Sequence, residues 1–60
     1  MKKGQYLEEV SLGNGKSLKT LVEEAFINCK LNNNNVKEIE VHQIVCMSPD
    51  EFLIIINFYN

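Results

Sequence analysis

The sequence predicts a single α+β domain of β-α-β-β order, one amphipathic helix packed on one face of a three-stranded, mainly antiparallel sheet. Three observations carry this: an apolar stripe at helical spacing between residues 18 and 29, an alternating segment over 36–47, and a closing stretch, "EFLIIINFYN", apolar on both parities. Helical stripes repeat every three to four residues and strands every two, so the two periods separate the elements. Sixty residues make one domain, and a fold of that size buries only about 60% of its unfolded surface. A chain so short gains from outside support, by disulfide, metal or self-association.

The first strand is expected over about 5–12. "QYLEEVSL" sets Tyr6, Val10 and Leu12 on one side and Glu9 and Ser11 on the other, and Glu8 breaks the alternation. The helix is expected over about 17–30. Leu18, Leu21, Val22, Ala25, Phe26 and Cys29 fall at i, i+3, i+4, i+7, i+8 and i+11, one continuous face at 100° per residue. Ser17 suits the N-cap, where its hydroxyl meets free first-turn amides. Ile27 points away from the stripe, between Thr20 and Glu23; it reads either as a lone exposed apolar residue, which is normal on a surface, or as a partner contact. The "NNNN" run at 32–35 ends the helix, because asparagine tolerates left-handed backbone and competes for backbone hydrogen bonds.

The second strand is expected over about 36–47, with Ile39, Val41, Val45 and Met47 on one face and Glu38, Glu40, His42, Ile44 and Cys46 on the other. "SPDE" supplies a four-residue turn, and the third strand comes next, over about 51–59. An unbroken hairpin register then sets Met47, Val45, Gln43 and Val41 opposite Phe52, Ile54, Ile56 and Phe58 under the helix. The last strand, apolar on both faces, belongs at the centre of the sheet. One helix covers one side only. The remaining face then exposes Ile44, Cys46, Leu53 and Ile55, a candidate interface for a homodimer or higher oligomer, because burying apolar area gains about 25 cal/mol per Å².

Composition excludes several functions. The net charge is −2, the lysines are scattered, and there is no arginine, which disfavours a nucleic-acid polymer as partner. The longest apolar run, 52–56, falls far short of the roughly 20 residues of a membrane span. "MKKGQYLEEV" turns to charge before any signal-peptide apolar region, so the expected location is cytoplasmic, with Cys29 and Cys46 reduced. His42 and Cys46 lack the further ligands a zinc site needs. No metal and no cofactor is expected. Catalysis is not expected either: Cys46 and His42 stand four residues apart on an extended strand, about 13 Å, where a nucleophile and its base need hydrogen-bond contact.

Two places remain for a ligand. "GNGKS" at 13–17 lacks the spacing of a phosphate loop; it reads as a tight turn with Ser17 capping the helix, or as an anion site with Lys16 as counter-charge. His42, Asn57 and Tyr59, with Glu38 and Glu40, mark a polar end of the outer sheet face. They read as a solvated sheet end, or as a set able to stack on and hydrogen-bond a nucleobase.

"SLKTLVEEAFINCK", "VKEIEVHQIV" and the terminal "FLIIINFY" give a layout that resembles the short strand-helix-strand-strand proteins of Bacillus sporulation and of phages of such hosts. Among phage proteins of this size the resemblance implies an oligomeric sponge that sequesters cyclic nucleotides used in anti-phage signalling. The expectation is therefore a non-enzymatic oligomeric binder holding a small anionic ligand between protomers with some subset of Lys16, Ser17, His42, Asn57 and Tyr59. The alternative expectation is a protein-interaction module or inhibitor, a sporulation or host-takeover regulator, that uses its apolar outer face.

Overall fold

A computed structural model of the chain describes residues 3–13 and 15–60. The elements are β1 (Lys3–Ser11), α1 (Leu18–Asn32), β2 (Glu38–Ser48) and β3 (Glu51–Tyr59), in a sheet of order β1-β3-β2. Both outer strands run antiparallel to β3. The expected α+β class, element order and central last strand are all found. β1 and β2 thus run parallel without touching, and α1 bridges them as the crossover of a split β-α-β unit.

The helix begins where Ser17 accepts a hydrogen bond from the Thr20 amide at 3.3 Å. It runs two residues past the expected stop at Lys30. The asparagine run ends it by a different route from a left-handed cap: Asn33 is extended and its side-chain amide donates to the Cys29 carbonyl at 2.9 Å, satisfying one of the free carbonyls of the last turn. Asn35, at φ 60°, takes the left-handed turn beyond it. Leu21, Ala25 and Cys29 are buried against Val10, Ile54 and Ile56, and Tyr6, Val22, Phe26, Ile39, Phe52 and Phe58 pack around them.

Gly4 pairs with Phe58, whose ring lies over it: a Cβ built at Gly4 would stand 2.5 Å from the ring's Cζ. Any side chain there would displace an aromatic from the core edge. The β2–β3 hairpin closes on a two-residue turn, Pro49–Asp50, with Ser48 paired to Glu51, instead of the expected four-residue loop.

The unbroken hairpin register does not hold. It matches at Ser48 and Glu51, then shifts at Met47 and again at His42, so that Cys46 faces Phe52, Val45 faces Leu53, Ile44 faces Ile54, Gln43 faces Ile55 and Val41 faces Ile56. Each extra residue reverses the parity of the strand beyond it. In the unbroken register Gln43 would have faced Ile56 on the core side. The bulge at Met47 turns that amide outward and brings Ile44 inward, and the bulge at His42 returns Val41 to the core side.

The bulges overturn part of the expected outer patch. Ile44 and Cys46 do not lie with Leu53 and Ile55; they share the core-side face with Ile54 and Phe52, while Val45 joins Leu53 outside. The cover of the core side is also uneven, because the helix packs chiefly on β3 and β1. Val41 and Ile44, on the core side of β2, consequently stay 38% and 37% exposed, and Met47 in its bulge 45%.

Candidate functional site

The outer face of the sheet is built from cross-strand rows, because residues paired across a ladder project to the same side. At one end Lys3, Tyr59 and Glu38 form a row, and Gln5, Asn57 and Glu40 form the next. Towards the other end the rows become apolar: Leu7, Ile55 and Gln43, then Glu9, Leu53 and Val45. Leu7, at 54%, is the most exposed apolar side chain of this face.

Asn57 is the hub of the polar end. It is 6% exposed, although no helix covers it, because its neighbours close over it. Its Oδ1 accepts from Gln5 Nε2 at 2.9 Å, and its Nδ2 lies 3.4 Å from both Glu40 Oε1 and His42 Nδ1. The Tyr59 hydroxyl donates to the same Glu40 oxygen at 2.8 Å. A buried amide carries a cost of about 1–3 kcal/mol unless paired, and the Asn57 amide is paired at both its oxygen and its nitrogen. The Tyr59 hydrogen bond, then that from Asn57, hold the Glu40 carboxyl below the ordinary glutamate range, with Lys3 and His42 adding in the same direction. The reciprocal hydrogen bond to Glu40 raises the Tyr59 phenol above its ordinary value, and burial and the nearby Glu40 and Glu38 charges add to it. The Lys3 ammonium sits over the Tyr59 ring, 5.8 Å from its centroid, a cation–π distance.

Three of the expected ligand residues, His42, Asn57 and Tyr59, therefore come together. Lys16 and Ser17 do not join them. They lie beyond the Ser11 end of β1, whereas Tyr59 pairs with Lys3 at the opposite end, about 27 Å away at the usual rise. Lys16 Nζ is engaged at 2.8 Å by Glu24 Oε2, and the Ser17 hydroxyl is spent on the helix cap. Asn14, inside the "GNGKS" stretch, lies outside the described residues.

Gln5 and Lys3 belong to the cluster and were not expected there. Their signal was parity: once β1 lies antiparallel beside β3, Gln5 and Lys3 must share a face with Leu7. Ile27 is 58% exposed, as its place opposite the stripe required, and Leu31, one turn on, is 77% exposed. Leu31 lies past the expected helix end at Lys30, in the extra residues of α1. Cys46 is exposed, its thiol donating to the Ser48 carbonyl at 3.2 Å, and Cys29 is buried.

The described residues enclose no pocket, and among them no three of the His, Cys, Asp and Glu side chains gather as a metal site would require. Among them, too, no helix is long and apolar enough to cross a membrane. No protein-family model, curated protein or solved structure matches the chain.

Proposed function

We propose that this chain is a non-enzymatic interaction module whose working surface is the outer face of its sheet, and that its first partner is another copy of itself. The observation that carries the reading is the one-sided cover of β3. Its core-side residues lie beneath α1, while Leu53 and Ile55, with Leu7 and Val45 beside them, form an apolar area on the face that no helix covers. Burial of such area gains about 25 cal/mol per Å², a large share of the roughly 5–15 kcal/mol that holds a small domain folded.

A second reading keeps a small anionic ligand, such as a cyclic nucleotide, at the polar end of the same face. It is favoured by the meeting of Gln5, His42, Asn57 and Tyr59 there, which offers amides, an imidazole and an aromatic ring in one place. The carboxylates of Glu38 and Glu40 oppose an anion at that spot, and Lys3 is the cation at hand.

Sedimentation velocity over a concentration series tests the first reading, with Leu7→Lys as the probe because that side chain is half-exposed and carries little of the fold. Loss of association in Leu7→Lys with unchanged thermal unfolding is the expected result. Identical sedimentation of the two proteins would overturn it. A thermal-shift panel of cyclic di- and trinucleotides tests the second reading, which fails if no member shifts the transition.

A further inference from the structure

We infer that the second copy sits on the outer face about a two-fold axis running along β3, so that Lys3 of each protomer lies against Glu38 and Glu40 of the other. The inference rests on the proposal that this face is the working surface, and it adds the geometry and the residues that choose it.

The charge pattern makes the choice. In the last two rows the cation is on the β1 edge and the anions are on the β2 edge, with β3 between them. Two sheets stacked face to face keep their strands nearly aligned, and a two-fold relates them in one of two ways. An axis along the strands carries β1 of one copy over β2 of the other at the same height, which sets each lysine above the partner's glutamates. An axis across the strands carries β1 over β1 in reverse, which sets Lys3 above Ser11 and Gln5 above Glu9 and forms no ion pair. The first arrangement also stacks Ile55 and Leu53 of the two β3 strands at the centre, where an interface is driest.

Glu9 stands at the free edge and keeps its carboxylate in water while its stem covers apolar surface. Asn57, already closed over by Gln5, Glu40 and His42, loses little further hydration when the partner arrives. The polar cluster then gains a second lysine from the other chain, which answers the surplus of carboxylates it has alone.

The area is sufficient for a specific but modest dimer. Strands of nine residues at about 3.3 Å per residue and about 4.8 Å apart make a face of about 30 by 14 Å. Side-chain relief brings the total buried surface to about 1,000 Å², the lower bound for specific association.

A charge-swap experiment decides the matter by sedimentation equilibrium, with thermal unfolding confirming that each variant is folded. Lys3→Glu alone and Glu38→Lys with Glu40→Lys alone each set like charges against one another twice per dimer, so each is expected to raise the dimer Kd about tenfold or more. An equimolar mixture of the two variants restores both pairs in a heterodimer, with an expected Kd within about threefold of the native dimer. Should Lys3→Glu fail to unfold cooperatively, Lys3→Gln replaces it, and its dimer with the glutamate-reversed chain is expected to be tighter than that chain's own dimer.

Variants that dimerise like the native chain, or a mixture that shows no rescue, would overturn the geometry. If Leu7→Lys still abolished dimerisation in that case, the outer face would stand as the working surface with a different axis. A native chain that stays monomeric at about 500 µM would remove the two-fold, and the self-association from which it starts, together.

Discussion

The Asn28 side-chain amide donates to Glu8 Oε1 across 3.0 Å, and the Tyr6 hydroxyl donates to the same oxygen across 2.8 Å. Glu8 pairs with Ile54 and so occupies a core-side position, the one charge that broke the alternation of the first strand. The carboxylate is accommodated because helix and strand each bring it a donor. It ties α1 to β1 at the sheet edge. Hydrogen bonds to a charged group are worth about 1.5–3 kcal/mol at burial and less where water reaches them, and this site is half-buried. Glu8→Ala is expected to cost about 1–2 kcal/mol, and the Glu8→Ala, Asn28→Ala double-mutant cycle to give a coupling of about 0.5–1.5 kcal/mol in urea unfolding. A coupling near zero would mean the contact does not hold the helix.

The two thiols are expected to differ sharply in reactivity. Cys29 is fully buried beneath the helix, and burial raises its pKa, so little thiolate forms and no reagent reaches it. Cys46 is exposed on β2. Titration with an aromatic disulfide reagent at neutral pH should modify Cys46 within minutes and leave Cys29 protected until urea unfolds the chain. Rapid modification of both in native buffer would show that the helix does not seal the core.

Much of the fold was legible because it depends on periods. The stripe from Leu18 to Cys29 fixed the helix, and the double-sided β3 fixed the centre of the sheet. The features that escaped depend on single residues. Nothing in the local pattern of "VHQIV" marks His42 as an extra residue, since an imidazole is admissible in a strand. The irregularity becomes visible only when the consequence of a regular hairpin is weighed: it would place the Gln43 amide against Ile56, which the extra residue at Met47 averts. The assignment of Ile44 and Cys46 to the outer face failed because both lie between the bulges at Met47 and His42, where the parity is reversed. The polar hub shows the same division. His42, Asn57 and Tyr59 were found from parity along two strands, whereas Gln5 required the pairing of β1 with β3, which sequence periodicity does not specify.

The Tyr59–Glu40 hydrogen bond has opposite consequences in acid and in base. Glu40 is held below the ordinary carboxylate value of 4.5, so its contribution to stability is present above that value and is lost as pH falls through the lower, folded one. Tyr59 is raised above the ordinary 10.0, so its contribution is present below 10.0 and is lost as pH rises through the higher, folded value. In Tyr59→Phe the Glu40 carboxyl should titrate nearer the ordinary value, read by carbon-detected NMR of the side-chain carboxyl. An unchanged Glu40 titration in Tyr59→Phe would refute the hydrogen bond as the principal cause.

Deletion of His42 is expected to leave the fold intact. Removing a residue from the middle of a strand usually turns every later side chain to the wrong face, but His42 is itself the extra residue. Without it Val41 is joined directly to Gln43, and the pairs Val41 with Ile56, Gln43 with Ile55 and Ile44 with Ile54 become one continuous alternation. The loss to the folded state is one contact of His42 with Asn57 at 3.4 Å, a cost of about 1 kcal/mol or less. The effect should appear instead between molecules, because a bulge twists an edge strand away from pairing with its neighbours, and a regular β2 edge is a better template for strand addition. Nuclear Overhauser contacts between Ile44 and Ile54 should persist in the deletion variant, and its solubility limit should fall. Loss of those contacts, with Ile44 turned to the outer face beside Leu53, would show that the imidazole holds the register and is not merely accommodated by it.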